Sequence, residues 1–280
     1  MNVAVLGSGS WATALAKIVM HNVAEINWYI RKQETIDEFR EIRRNPNPLE
    51  WAYFDISRIN FSNDINQVLS EAELVILAVP SPYVKDVLAE ITVDMSQKKV
   101  ISAVKGMIPG DNILVTDYLH EHFHIHENNL GMITGPCHAE EIALERLSYL
   151  TIGCKDTANA REWQKLFDTP YVRTTPSNDM KGLEYASVMK NIYAIAAGMC
   201  TSLRYGDNFQ AVLLTNAMHE IVRFTKAVSD VPRDITDSGY LGDVLVTAYS
   251  NFSRNRQFGQ MIGMGYSVKA AQTEMEMVAE

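Results

Sequence analysis

At 280 residues and 47% hydrophobic content, the chain suits one large domain or two ordinary ones, each able to bury a core. A formal net charge of −9 argues against nucleic acid as a partner, and an anionic ligand would need local basic residues to overcome the acidic field. Cys137, Cys154 and Cys200 are widely spaced with no Cys-x-x-Cys, which fits free thiols in a reducing compartment, and no apolar run is both long and unbroken enough to span a membrane.

In chain order, Met1-Asn2 leads straight into the apolar run Val3-Ala4-Val5-Leu6, which leaves no room for a signal or transit peptide. With the composition, this reads as a soluble cytoplasmic protein without membrane insertion. The run breaks at Gly7-Ser8-Gly9-Ser10-Trp11-Ala12 and restarts with helical spacing at Thr13-Ala14-Leu15-Ala16. A strand, a glycine turn and a helix aim free backbone N–H groups and the positive end of a helix dipole at an anion, usually a dinucleotide pyrophosphate. Gly7 permits the tight turn, Gly9 lets a phosphate approach the backbone, and Ala12 replaces the third glycine of the fingerprint. An ordinary strand–turn–helix has the same outline; the order of the three at the head of the chain favours the cofactor reading.

Further β-rich runs follow at Asn27–Ile30, Leu74–Val79, Lys99–Val104, Gly131–Thr134 and Tyr149–Cys154, with helical spacing between them at Tyr83–Ile91 and Ile113–His122. Such alternation predicts an α/β, doubly wound parallel sheet of Rossmann type. The second strand ends Tyr29-Ile30-Arg31-Lys32, with no acid before Glu34. An acid there would hold the ribose hydroxyls of NAD and repel a 2′-phosphate. Its absence favours NADPH over NADH, with Arg31 against the adenosine phosphate. Lys105 follows the strand Lys99–Val104 and puts an ammonium at the carboxyl end of the sheet, where ligands bind in this fold; a surface charge is the plainer alternative. His120-Glu-His-Phe-His-Ile-His126 would line one face of a strand with imidazoles, but no cysteine or carboxylate is spaced to complete a metal site. A polar surface connection is the preferred reading, and no metal is expected.

Near Thr174-Thr175-Pro176-Ser177-Asn178 the alternation stops, and from Gly182 the chain reads as helices. The expected division is a dinucleotide-binding domain over 1–178 and an all-α substrate and catalytic domain over 179–280. In Leu183–Met199, Ala186, Val188, Met189, Ile192, Tyr193, Ile195 and Ala196 wrap most of a helix in apolar side chains, which predicts burial. Glu184, Ser187 and Asn191 share a face beside Lys190, with Ala194 and Gly198 continuing the stripe. A lysine in a buried helix is costly unless paired or liganded, and burial lowers its pKa toward that of a general acid/base. The alternative is a lysine that snorkels to water. Further on, Gly242-Asp243, Thr247 and Ser253-Arg254-Asn255-Arg256 gather groups suited to phosphate, a planar guanidinium fork with neutral donors beside it. A solvated helix start accounts for them equally well in isolation.

Taken together, Gly7-Ser-Gly-Ser-Trp-Ala-Thr-Ala-Leu-Ala, Ala78-Val-Pro-Ser, Val104-Lys-Gly, Thr134-Gly-Pro, Met189-Lys-Asn-Ile, Tyr205-Gly-Asp-Asn, Leu241-Gly-Asp and Ser253-Arg-Asn-Arg resemble, in this order and over the whole chain, the bacterial NAD(P)-dependent sn-glycerol-3-phosphate dehydrogenases. The resemblance implies reversible hydride transfer between NAD(P)H and dihydroxyacetone phosphate, giving sn-glycerol 3-phosphate for glycerophospholipids. It implies Lys190 as proton donor and acceptor with Asp243 orienting it. Lys105, Gly135, Cys137, Asn191, Thr247, Ser253, Arg254 and Asn255 would surround the substrate. Gly7, Gly9, Ser10, Trp11, Arg31, Pro80, Lys105, Ala139, Arg254, Val278 and Glu280 would contact the cofactor. Departures from the family pattern are Ala12 for glycine, Cys137-His138 for the more usual Ser-Phe, and Thr215-Asn216-Ala217 for Thr-Arg-Gly, which leaves Asn216 out of the site. Relatives continue past Glu280, so a truncated or incompletely recorded helical domain is expected, its exposed apolar surface hidden either in a homodimer or by partial disorder after about residue 270. Two further readings are a sibling dehydrogenase of β-hydroxyacid type, which would give Ser253-Arg-Asn-Arg no purpose, and a non-catalytic NAD(P) redox sensor, which would not need Lys190 buried beside Asp243.

Overall fold

A computed structural model describes residues 1–46, 49 and 51–275, which form two compact units. The first comprises Met1–Ile133 and Cys137–Met180; the second comprises Thr134–Pro136 and Lys181 onward.

The first unit is built on β1 (Val3–Leu6), β2 (Ile26–Tyr29), β3 (Ile59–Ser62), β4 (Leu74–Leu77), β5 (Lys99–Ser102), β6 (Leu130–Thr134), β7 (Ser148–Cys154) and β8 (Val172–Ser177). They form one sheet in the order β3-β2-β1-β4-β5-β6-β7-β8, and the pairs β1–β2, β1–β4, β2–β3, β4–β5, β5–β6 and β7–β8 are parallel. The helices are α1 (Ser10–Val19), α2 (Gln33–Ile42), α3 (Ile65–Ser70), α4 (Ser81–Ala89), α5 (Val115–Phe123), α6 (Ala139–Ala143) and α7 (Thr157–Phe167). Every residue of β1 and β4 is buried, with no polar alternation, as expected of strands covered on both faces. Strand order reverses between β1 and β4, so the loops that leave these two strands flank the crevice where doubly wound folds bind ligands. They are in backbone contact: Gly7 has φ 123°, and a Cβ there would meet Ala78 O at 2.3 Å. No other residue fits that position.

Two strands escaped the sequence reading. β3 is four residues long and only its first residue is buried, so it carries little apolar signal. Residues 172–177, read as the end of the alternation, form β8, where Thr174, Thr175 and Pro176 pair with β7. Proline donates no hydrogen bond and is tolerated here because β8 is the last strand of the sheet. The histidine run does not form the strand face that is the alternative reading of its spacing. His120 and His122 lie in the last turn of α5, and His124 ends that helix in the left-handed region at φ 55°, so the imidazoles do not share a face.

From Lys181 on, the described residues contain helices and no strand: the greater part of α8 (Met180–Ser202), α9 (Gly206–Val228), a π-helical turn over Ser238–Gly242 running into α10 (Asp243–Tyr249), α11 (Arg254–Gly263) and α12 (Val268–Glu274). No described helix is long and apolar enough to cross a membrane. The buried side of α8 is only partly the one its large apolar residues suggest, since Leu183, Ala186 and Tyr193 are buried. Ile192 is 61% exposed, whereas Glu184, Ser187, Lys190, Ala194 and Ala197 are each at most 3% exposed. The cause is a close helix crossing. A Cβ on Gly198 would come within 2.0 Å of Arg256 O, and one on Gly259 within 2.0 Å of Ile195 O, so α8 and α11 meet backbone to backbone. Ser202 Oγ closes the crossing by donating to Gln260 O at 2.8 Å. Bulky side chains would hold the helices apart, and the small-residue stripe therefore takes the inside.

Candidate active site

In the helical unit the site begins with Lys190, midway along α8 and 3% exposed. Its ammonium does not snorkel; Nζ donates to Asp243 Oδ1. Asp243 is 2% exposed and opens α10 straight out of the π-helical turn. Its other oxygen, Oδ2, accepts from Thr134 Oγ1 at 2.6 Å and from Gly135 N at 3.2 Å. An ion pair this far from water is tolerable only with its remaining lone pairs satisfied, and the segment Thr134–Pro136 supplies that. Thr247, one turn along α10, donates its hydroxyl to Asp243 O at 2.6 Å and locks the start of the helix. Asn191, next to Lys190, is 8% exposed.

Ser253 caps α11 by accepting from Arg256 N at 3.3 Å, which places Arg254 and Asn255 in the first turn, where a helix dipole favours an anion. That turn carries no acid. Asn255 is 7% exposed, and its Oδ1 is buried with no hydrogen-bond partner among the described residues. The α8–α11 crossing joins this turn rigidly to Lys190. Sequence reasoning missed Thr134 as a partner of Asp243, because nothing local in a strand end signals a carboxylate more than a hundred residues away.

The first unit holds a second set of candidates. Gly9 precedes α1, which has neither a side-chain cap nor an acid in its first turn, unlike α3 and α7, capped by Asp64 and Asp156. A Cβ on Gly9 would meet nothing within 4 Å, so open space lies over the turn. Ser10 and Trp11 are the first residues of α1, and Trp11 Nε1 is buried with no hydrogen-bond partner among the described residues. Lys105 Nζ sits 4.6 Å from the Trp11 ring centroid. An uncapped helix start, room above the glycine and an unanswered indole donor together fit a bound dinucleotide. Pro80 is the N-cap of α4, and Arg31 is exposed just beyond β2. Cys137 and Ala139 are 3% and 6% exposed within the apolar core of this unit. Val278 and Glu280 lie outside the described residues.

A glycine turn at the switch point of a doubly wound sheet, in a chain whose helical part buries a lysine–aspartate pair, defines a two-domain nicotinamide-dinucleotide oxidoreductase. The chain belongs to the NAD-dependent glycerol-3-phosphate dehydrogenase family: the family's N-terminal model matches residues 2–160 and its C-terminal model residues 179–280. It is 34% identical, over all of its length and 82% of the relative's, to a glycerol-3-phosphate dehydrogenase (NAD(P)+) of an Exiguobacterium species. The corresponding Staphylococcus aureus protein is 30% identical, with 99% of this chain and 84% of that one covered. In fold it is similar to the crystal structure of glycerol-3-phosphate dehydrogenase from Coxiella burnetii, with a TM-score of 0.87 and 23% identity over 99% of this chain and 85% of that one.

Proposed function

We propose that this chain reduces dihydroxyacetone phosphate reversibly to sn-glycerol 3-phosphate with NAD(P)H, as a cytoplasmic enzyme that supplies glycerophospholipid backbones. Residues 1–178 form the dinucleotide-binding domain and 179–280 the substrate domain. The observation that carries this reading is the buried Lys190–Asp243 pair, a structural expense that a proton-transfer role explains. A nicotinamide dinucleotide bound at the Gly7–Trp11 turn would supply the hydride that reduces C2 of the ketone. Lys190 Nζ, kept as ammonium by Asp243, gives the new alkoxide its proton; in the oxidation direction the neutral amine takes the hydroxyl proton. Asp243, held by Thr134 and Gly135, keeps that nitrogen in place.

Arg254 and Asn255 bind the substrate phosphate, so that binding energy from the unreactive end positions the carbonyl. Lys105, Gly135, Cys137, Asn191, Thr247 and Ser253 complete the substrate surroundings. Gly7, Gly9, Ser10, Trp11, Pro80, Lys105, Ala139 and Arg254 hold the dinucleotide, and Val278 and Glu280 are assigned to it from the family pattern alone. Arg31 faces the adenosine phosphate and makes NADPH the preferred cofactor. A homodimer belongs to the same proposal, supported by the exposed Val212, Val222, Phe224 and Val228 of α9; light scattering tests it. The deciding experiment on function is NADPH oxidation by purified protein with dihydroxyacetone phosphate, with unphosphorylated dihydroxyacetone and with β-hydroxyacid substrates in the reverse direction. Turnover that needs the phosphate supports the proposal. Turnover with hydroxyacids only overturns it.

A further inference from the structure

Three successive carbonyl oxygens in the turn after β1 are each held by a hydrogen bond. Gly7 O accepts from Trp28 Nε1 at 2.7 Å, Ser8 O from Asn45 Nδ2 at 2.9 Å, and Gly9 O from Thr13 N at 3.0 Å and Thr13 Oγ1 at 2.9 Å. Asn45 Nδ2 also donates to Thr13 Oγ1 at 2.8 Å, so one amide head supports the turn directly and through the threonine hydroxyl. Asn45 is 2% exposed and Thr13 and Trp28 are fully buried. In a planar trans peptide the C=O and the following N–H point in opposite directions. The carbonyls of Ser8 and Gly9 both turn to the Asn45–Thr13 pair, which leaves the N–H groups of Gly9 and Ser10 facing away from it, as donors for an anion. Asn45 reaches this position from beyond α2, braced by the antiparallel bridge between Arg44 and Tyr53.

We infer that Asn45, acting with Thr13, is a positioning residue for the dinucleotide pyrophosphate: it orients the Gly9 and Ser10 amides and never touches the cofactor. This rests on reading the turn as the cofactor loop. Both donors must come from one short, neutral head. Aspartate offers none at neutral pH and would set a negative charge behind the turn, whereas alanine removes both bonds.

The test is direct titration of NADPH, ADP-ribose and adenosine 2′-monophosphate onto the purified protein, with melting temperature measured without ligand. Asn45→Ala is expected to weaken NADPH and ADP-ribose about tenfold, the worth of one to two hydrogen bonds, and Asn45→Asp more. Adenosine 2′-monophosphate, which has no pyrophosphate, should bind nearly as before. In turnover, KM for NADPH should rise with kcat and the KM for dihydroxyacetone phosphate held. Thr13→Val should reproduce a smaller loss, and Thr13→Ser, which keeps the hydroxyl, should restore wild-type binding. If these variants melt earlier but bind NADPH within twofold of wild type, Asn45 is structural only and the inference fails. An equal loss on all three ligands also overturns it. Wild-type protein that binds neither NADPH nor ADP-ribose would refute the cofactor reading itself, a result distinct from either.

Discussion

Lys190 and Asp243 form an ion pair in which each side chain is only 3% exposed. Such a pair gains little over an apolar replacement, while removal of one partner strands the other charge at a cost of about 3–5 kcal/mol. Asp243 keeps two hydrogen bonds when the lysine is gone, since Thr134 and Gly135 still serve its second oxygen.

Lys190→Met should therefore fold and still bind NADPH within about twofold of wild type, while kcat falls by ~10²–10⁴, the usual worth of general acid–base catalysis. Stopped-flow turnover and a cofactor titration check both halves. Wild-type kcat in this variant would make the lysine structural.

Arg254→Lys exchanges a bidentate fork for a point charge. The expected result is a KM for dihydroxyacetone phosphate raised about tenfold or more, with dihydroxyacetone barely affected. Equal losses on the two substrates would count against a phosphate contact.

Arg31→Ala should lower kcat/KM for NADPH about tenfold and leave NADH nearly unchanged, because only the former carries a 2′-phosphate for the guanidinium. A strong NADH preference that is insensitive to this change would remove Arg31 from the site.

Gly259→Ala places a methyl where Ile195 O lies 2.0 Å away, a backbone atom that yields only if α8 or α11 moves. Overpacking of this kind typically costs 1–3 kcal/mol. Since α11 carries Arg254 and Asn255, KM for dihydroxyacetone phosphate should rise. Thermal unfolding and steady-state kinetics read the two effects separately.

Alkaline pH should weaken the fold. Burial pushes the Tyr29 phenol up to about 12, helped by the nearby Glu90 carboxylate, and the Cys154 thiol up to about 11; Tyr171 and Tyr193 are also raised, chiefly by burial. In the unfolded chain these groups ionise at about 10 for tyrosine and 8.5 for cysteine. Above those values the unfolded state binds fewer protons than the folded one, so stability, complete at lower pH, is lost as pH rises through about 9 to 12. The urea midpoint at about pH 10.5 should lie below that at about pH 7.5, and Tyr29→Phe should reduce the difference.

The alternation of apolar runs with helical spacing was sufficient to predict the doubly wound sheet, since a strand buried on both faces, such as Val3–Leu6 or Leu74–Leu77, carries its signal in consecutive residues. The glycine turn was legible for the same reason: its chemistry is local. Edge strands β3 and β8 were not, because half-exposed strands contain too few apolar residues to stand out from loops. For α8, periodicity identified the stripe of Glu184, Ser187, Lys190 and Asn191 and the burial of Ala186 and Tyr193, but not the exposure of Ile192.

What the sequence determined by itself was therefore local: which segments become strand or helix, where the backbone can turn tightly around Gly7, and which charged residues sit inside a helix that packing must accommodate. Tertiary structure alone decided the partners. Asp243 meets Thr134, Asn45 meets Ser8 and Thr13, and Gly198 meets the backbone of Arg256 across separations that no periodicity spans. The physical reason is that propensity and hydrophobic pattern act over a few residues, whereas a buried polar atom accepts whichever donor the completed packing brings within about 3 Å.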